Sequence, residues 1–343
     1  MKYLHVQPHD PLFFRDGMPF GMGEDLWIHS SVMPAPSVFW GAMFTTLYAT
    51  GKVNLNDKDK LSIKAVYLYN HNTKQVYIPA PLDIFVDDKK KTYSQSFIQA
   101  DSFVHNSSLP NFIAPIHDYE VEQAEGFFMP LTDLFRHYPF KDKYPYISLL
   151  GTSSFSKSYK KLGIKRNKQT LTTDDEAIYR IEMIEYGEDW GFVVAYEAEE
   201  DLPQKGFFKL GGEGKVAQYQ EIAEPFDIHV FNEEKSSMLD EVDICKIYIQ
   251  SAIVLPSNFL EDLGIETAVI GKPINIGGFD AKLREPKTME RAIPAGSVLV
   301  ATNDKNLSIQ TWEELIQKKL TKDTSFNQNG FGCFQVLPIY EFN

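Results

Sequence analysis

Apolar and polar positions along this chain alternate with strand period in some stretches and recur with helix period in others. Tyr3 to Val6 reads as a short strand with Tyr3 and His5 on one face. Val38 to Thr50 reads as a helix, with Ser37 as its cap and Gly51 ending it. Leu61 to Tyr69 and Gln75 to Ile78 are strands. Residues 81 to 150 keep no clean period and are rich in Pro and Phe, so they read as an insertion or long loop. Ala177 to Tyr186 and Gly191 to Tyr196 predict a hairpin across Gly187 to Trp190, with Tyr179, Ile181 and Met183 on one face. Gly206 to Leu210 is a further strand.

The second half is more regular. Ile244 to Leu255 is a β-branched strand, and Pro256 and Ser257 start a short helix. Ala268 to Ile276 is extended but broken by Gly271 and Pro273. Ala292 to Thr302 is a third extended piece. Ser308 caps a helix to Leu320 whose Ile309, Trp312, Leu315 and Ile316 share one face. Asn329-Gly330 marks a turn before a last strand, Phe331 to Tyr340. The order β-α-β-β-α-β is the ferredoxin-like split unit. The first half fits the same order once its insertions are set aside. The expected class is therefore α+β, with two ferredoxin-like domains: residues 1–235, carrying the insertion at about 81–150, and residues 236–343. A structural duplication is expected, although no sequence repeat is visible.

Composition adds limits to this picture. A chain of 343 residues with 43% hydrophobic and 24% charged residues is globular and long enough for two cores. Cys245 and Cys333 stand far apart with no CxxC pair, which excludes a disulfide framework and a Cys-based zinc site and fits a reducing cytoplasm. The opening MKYLHVQPHD has no signal-peptide core. The uncharged stretch between Asp25 and Lys52 is interrupted by Pro34 and Pro36, and its longest apolar run, Val38 to Phe44, is far short of the roughly 20 residues of a bilayer span. No membrane partner is expected. The net charge of −13 opposes any nucleic-acid binding that relies on the overall field, so an RNA partner would have to be held in local basic patches.

Such patches exist. Pro8 to Gly23 (PHDPLFFRDGMPFGMG) packs three glycines, three prolines, Arg15 and the rings of Phe13, Phe14 and Phe20 into sixteen residues. Backbone donors, a guanidinium and flat rings suit a phosphodiester chain with unstacked bases. An ordinary loop with its aromatics turned into the core fits the same residues. Gly151 to Thr173 carries Lys157, Lys160, Lys161, Lys165, Arg166 and Lys168 and no acid, which reads either as a solvated loop or as a hairpin that reaches out. Three more glycine-rich turns follow: Gly211-Gly212-Glu213-Gly214-Lys215, Gly277-Gly278-Phe279-Asp280 with Lys282, Arg284, Lys287 and Arg291 after it, and Gly330-Phe331-Gly332. None is a Walker loop, because Lys209 and Val216 stand where that pattern needs glycine and Ser or Thr.

Taken in order, five segments resemble one family. They are PHDPLFFRDGMPFG; Pro36 to Ala42; Leu162 to Arg166 leading to Tyr179-Arg180; Leu210 to Glu213; and Gly277 to Asp280 with Arg291 to Val298. The chain resembles the third subunit of the type III-B (Cmr) CRISPR effector, of the RAMP superfamily, over most of its length apart from residues 81–150. The resemblance implies two ferredoxin-like folds, glycine-rich loops and a protruding thumb, here about Ser156 to Thr173. It implies a noncatalytic subunit that caps the 5′ tag of the guide RNA (crRNA), beside the large palm-domain subunit and the backbone RAMP subunits, without cofactor or small-molecule substrate. RNA-contacting turns carry over to Arg15-Asp16-Gly17, Gly211 to Lys215 and Gly277 to Arg284. Arg15, Lys165, Arg166, Lys215, Lys282 and Arg284 would meet phosphates, and the N–H groups of Gly17, Gly212 and Gly278 would cradle the strand. Phe14 and Phe279 would stack on bases, or else belong to the core. The chain departs from the family where Phe44, Gly214 and Lys215 replace arginines common in relatives.

Three rival readings stand beside this one, and the first, a small-molecule enzyme using the glycine loops for a nucleotide, lacks any recognisable phosphate loop. Relatives in the superfamily cut guide precursors by metal-independent acid–base chemistry, and His5, His9 and His29 lie near the proposed groove. Ordinary polar loop histidines would look the same. A protein scaffold without RNA contact would also suit the acidic balance. No metal-ligand spacing is present, since Asp83, Asp87 and Asp88 do not follow a metal-loop pattern.

Overall fold

A computed structural model of the chain describes all residues except 15–26, 88–91, 94, 100–108, 110, 116–119, 137–146, 167–172, 237–243, 257, 258, 260–262, 281–284, 303–307, 321–323 and 340–343. The sheet-forming strands of the first half are β1 (Lys2–Pro8), β2 (Leu61–Asn70), β3 (Gln75–Pro79), β4 (Phe127–Pro130) and β5 (Leu150–Gly151). They are followed by β6 (Ser156–Arg166), β7 (Thr173–Tyr186), β8 (Trp190–Ala198), β9 (Lys205–Lys209) and β10 (Val216–Ile222). The last four are β11 (Ile244–Ile249), β12 (Ile265–Val269), β13 (Val298–Thr302) and β14 (Phe334–Pro338). Three helices matter here: α1 (Pro36–Ala49), α2 (Phe226–Ser236) and α3 (Ile309–Leu320). Helices and mostly antiparallel sheets together make the mixed α+β class that the sequence predicts.

Contacts divide the chain into two compact units, and neither is continuous in sequence. The first holds Met1–Asn72, Thr152–Ile222 and Asn275–Glu290; the second holds Thr73–Gly151, Ala223–Ile274 and Arg291–Asn343. Residues 81–150 thus group with the C-terminal strands.

In the first unit, five strands lie in the order β2-β8-β1-β10-β9, all antiparallel, with β9 at an edge. Helix α1 starts on Pro36, whose missing N–H costs nothing in a first turn. Ser37 is not its cap: the cap position is Ala35, and no side chain bonds there. Thr45, Thr46 and Thr50 return their hydroxyls to carbonyls four residues back. Gly51, at φ 72°, ends the turn as its sequence position predicts. The helix buries Phe39, Met43 and Leu47 completely, and Phe39 meets Phe192 of β8 edge-on at 5.3 Å. Leu4 and Val6 of β1 pair with Val194 and Phe192, completing this core.

Strand β7 does not pair with β8. It pairs along its length with β6, and Trp27–Ile28 adds a short parallel strand. The turn after β7 is real, with Trp190 N–H on the Gly187 carbonyl at 2.9 Å. The two strands it joins diverge into different sheets because β8, buried nearly throughout, is claimed by β1 and β2. The basic segment is one arm of a long hairpin, as its composition allows.

In the second unit, four antiparallel strands lie in the order β12-β13-β11-β14. Cys245, Ile247 and Ile249 of β11 pack with Trp312 and Ile316 of α3. Ser308 caps α3, accepting the Thr311 N–H at 3.2 Å. Ile244 to Leu255 is strand only to Ile249, and Gly271, Pro273, Pro294 and Gly296 split the other two predicted strands into shorter pieces. Lys246 and Tyr248 point away from α3. The Lys246 ammonium lies 2.8 Å from Asp83, both side chains at most 3% exposed, and the Tyr248 hydroxyl donates to Pro79 O at 2.6 Å. In the same unit β4 pairs antiparallel with both β3 and β5. Cys245 and Cys333 are free thiols, and burial pushes both up to about 12. Among the described residues no helix is long and apolar enough to cross a membrane.

Candidate nucleic-acid interface

The stretch that leads into the first predicted glycine turn, Leu12–Phe14, meets the second. Where β1 runs into the first loop, Leu12 exchanges backbone hydrogen bonds with Ile184 of β7 at 2.7 and 2.8 Å. The Phe13 carbonyl accepts the Gly212 N–H at 2.8 Å. Phe14 donates its N–H to Ser30 Oγ at 2.9 Å and accepts from the Ser31 N–H at 3.2 Å. The loop therefore leaves and returns at one place, directly against the turn between β9 and β10. That turn needs glycine at 211: its φ is 74°, and an added Cβ would stand 2.5 Å from Phe13 O.

This geometry corrects one expectation and decides another. The Gly212 N–H is spent on Phe13 and is not a bare donor. Phe14 is 3% exposed, with its ring against Gly211, so it belongs to the core, the second of the two roles its sequence position left open. Phe13 is core as well, packed with Ile181 and Met183. Arg15, Asp16 and Gly17 lie outside the described residues.

Carboxylates hold the nearby lysines. Lys161 of β6 reaches Glu213 at 2.8 Å and so ties the hairpin to the turn; Lys215 stands 3.9 Å from Asp10. Glu182 of β7 accepts from Ser158 and from His29, and these bonds, that of Ser158 first, hold its carboxyl below the usual range. Lys157 and Lys160 are exposed on the hairpin. The side chains of Lys165 and Arg166, at the end of β6, lie outside the described residues. Sequence reading missed one basic group: Lys205 and Lys209, exposed on β9 on either side of Phe207, which is 65% exposed. Their alternation was the available signal.

The third turn belongs to the first unit. Gly278 accepts the Lys287 N–H at 2.9 Å beneath a short ladder in which Phe279 pairs with Pro286 and Asp280 with Glu285. Lys282, Arg284 and the Phe279 side chain lie outside the described residues.

The histidines separate. His5 and His9 line a cleft of about 670 Å³ with His71, and His29 does not. Asp10, Glu185 and Glu188 are the charged lining, with no Lys or Arg among the lining residues. Burial, and then the neighbouring His71, pull His5 down to about 4, so it is neutral at physiological pH. His9 is held by Gln218 at 3.0 Å. Among the described residues no group of three or more His, Cys, Asp or Glu could hold a metal ion.

Comparison with known proteins gives three findings. A family model described as CRISPR-associated protein (Cas_Cmr3) matches residues 4–336. A chain from a cryo-EM structure of the type III-B Cmr-beta bound to cognate target RNA and AMPPnP superposes with TM-score 0.59 at 15% identity, over 98% of this chain and 99% of that one. A chain from the type III-B Cmr-beta bound to cognate target RNA gives TM-score 0.54 at 16% identity, over 96% and 95%. No curated protein matches.

Proposed function

The chain belongs to the CRISPR-associated Cas_Cmr3 family, and from that premise we propose that it is the noncatalytic third subunit of a type III-B effector, capping the 5′ tag of the guide RNA. The observation that carries this reading is the junction of the first glycine-rich loop with the Gly211–Lys215 turn and the basic hairpin, linked through Phe13–Gly212 and Lys161–Glu213. Arg15, Lys215 and the hairpin cations then supply phosphate contacts, and the Gly277–Arg284 hairpin a further one. The large palm-domain subunit and backbone RAMP subunits complete the site.

Both units are read as ferredoxin-like. In each, the strand order is second, third, first, fourth along the chain: β2-β8-β1-β10 in one and β12-β13-β11-β14 in the other. That is the order of a split β-α-β-β-α-β unit. In the first unit β9, at the sheet's edge, takes the place along the chain that the second crossover helix would have.

The acid–base alternative is disfavoured by charge. A phosphodiester drawn to His5 and His9 would meet Asp10, Glu185 and Glu188, and no cation among the lining residues. Purifying the assembled complex through this chain and sequencing the bound small RNA tests the proposal. Guides sharing one 5′ end are expected. Absence of RNA contradicts the reading, as does RNA cleavage by the isolated chain that His9→Ala abolishes.

A further inference from the structure

Strand β9 pairs with β10 on one side only and closes the sheet. Residues directly opposite in an antiparallel ladder share a face. Lys205 stands opposite Gln220, which stands opposite His5; Phe207 stands opposite Gln218, which stands opposite Gln7. The outward face of this edge is therefore lysine, phenylalanine, lysine, backed by glutamines. The alternate residue, Phe208, turns the other way, buried and stacked on Tyr219 at 5.0 Å, and fixes which face Phe207 presents. Phe207 is 65% exposed, and the His9 ring, itself held by Gln218, lies 6.0 Å away.

Lysines on an edge strand ordinarily discourage pairing with another chain. An exposed phenyl between them works against that purpose, which calls for an occupant. A protein interface needs a contiguous apolar centre. Neither β10 nor β1 offers a second exposed large apolar side chain among the described residues. One isolated ring matches one nucleobase. The flanking lysines, two residues away on each side and so roughly 7 Å along the strand, match the phosphates of the neighbouring nucleotides. We propose that the Lys205–Lys209 edge is a stacking platform for an unpaired base of single-stranded RNA, with Phe207 under the base and Lys205 and Lys209 on its flanking phosphates. This rests on the RNA-binding reading above and adds a site that the glycine-rich turns do not contain.

The test uses the complex reconstituted with its guide. Phe207→Ala is expected to weaken RNA affinity by about 5- to 150-fold, the range of a lost base–aromatic stack, and Phe207→Trp to restore it. The new indole's fluorescence should fall when RNA is added, relative to the unsubstituted complex. Because Phe207 is exposed, both variants should keep the thermal midpoint. Unchanged affinity in Phe207→Ala, with Lys215→Ala still weakening binding, overturns the platform and leaves the RNA-binding reading standing. If neither substitution alters RNA affinity, both fall. If Phe207→Ala blocks incorporation of the subunit while the complexes that form bind RNA normally, the edge is a protein contact and the platform is wrong.

Discussion

Single residues decide how the first loop and the turn fit together. Gly211 holds both a left-handed backbone and a contact closed to any side chain, whereas Gly214, at φ 67°, has open space around its missing Cβ. Gly214→Ala should cost about 1–2 kcal/mol from backbone strain alone, and Gly211→Ala distinctly more, because the methyl would collide with Phe13 O. Thermal midpoints of the two variants check the order. His5 gives a pH signature. Its folded value, about 4, lies below the ordinary 6.5, so between those values the unfolded chain takes up a proton that the folded chain refuses. Stability conferred by neutral His5 is therefore full above about pH 6.5 and is lost as pH falls towards 4. His5→Gln should flatten the fall of the thermal midpoint across that window. At this scale sequence marked Gly211–Lys215 as a glycine-rich turn. It could not show whether Phe14 faced ligand or core, because both uses want the same apolar ring and only tertiary contacts choose.

Among the elements, β1, β2, α3 with its Ser308 cap, and β14 were legible from their periodicity, and α1 from its apolar run closed by Gly51. The pairing of β7 was not. Its alternating residues and the turn at Gly187 fit a hairpin with β8, and nothing local reveals that β8 is buried on both sides by β1 and β2. Ser37 was misread as a cap because Pro36, one residue earlier, already starts the helix. Charge-bearing elements make their own predictions. Lys246 of β11 and Asp83 form a buried pair, so Asp83→Ala, which removes the ammonium's carboxylate at 2.8 Å, should cost about 3–5 kcal/mol. Asp83→Leu combined with Lys246→Met should recover most of that, as urea midpoints would show. On the hairpin, neutralising Lys157 and Lys160 should lower the salt dependence of RNA binding by about 0.7 in log–log slope for each phosphate that no longer meets a cation. An unchanged slope would remove the hairpin from the RNA path.

For the whole molecule, the α+β class was readable because helix-like and strand-like segments occur in both halves of the sequence. The division into units was not readable as a single cut, since residues 73–151 and 275–290 each join the unit distant in sequence. Long-range grouping of this kind leaves no local periodic trace. The net charge of −13 restricts any RNA contact to local basic groups. The measurement that bears most directly on the central claim is photocrosslinking of the guide's 5′ tag in the assembled complex, with 4-thiouridine placed in the tag and the attached peptides identified by mass spectrometry. Crosslinks to the Pro8–Gly23 loop or the Gly211–Lys215 turn are predicted. A tag that crosslinks efficiently to other subunits and never to this chain would contradict the account.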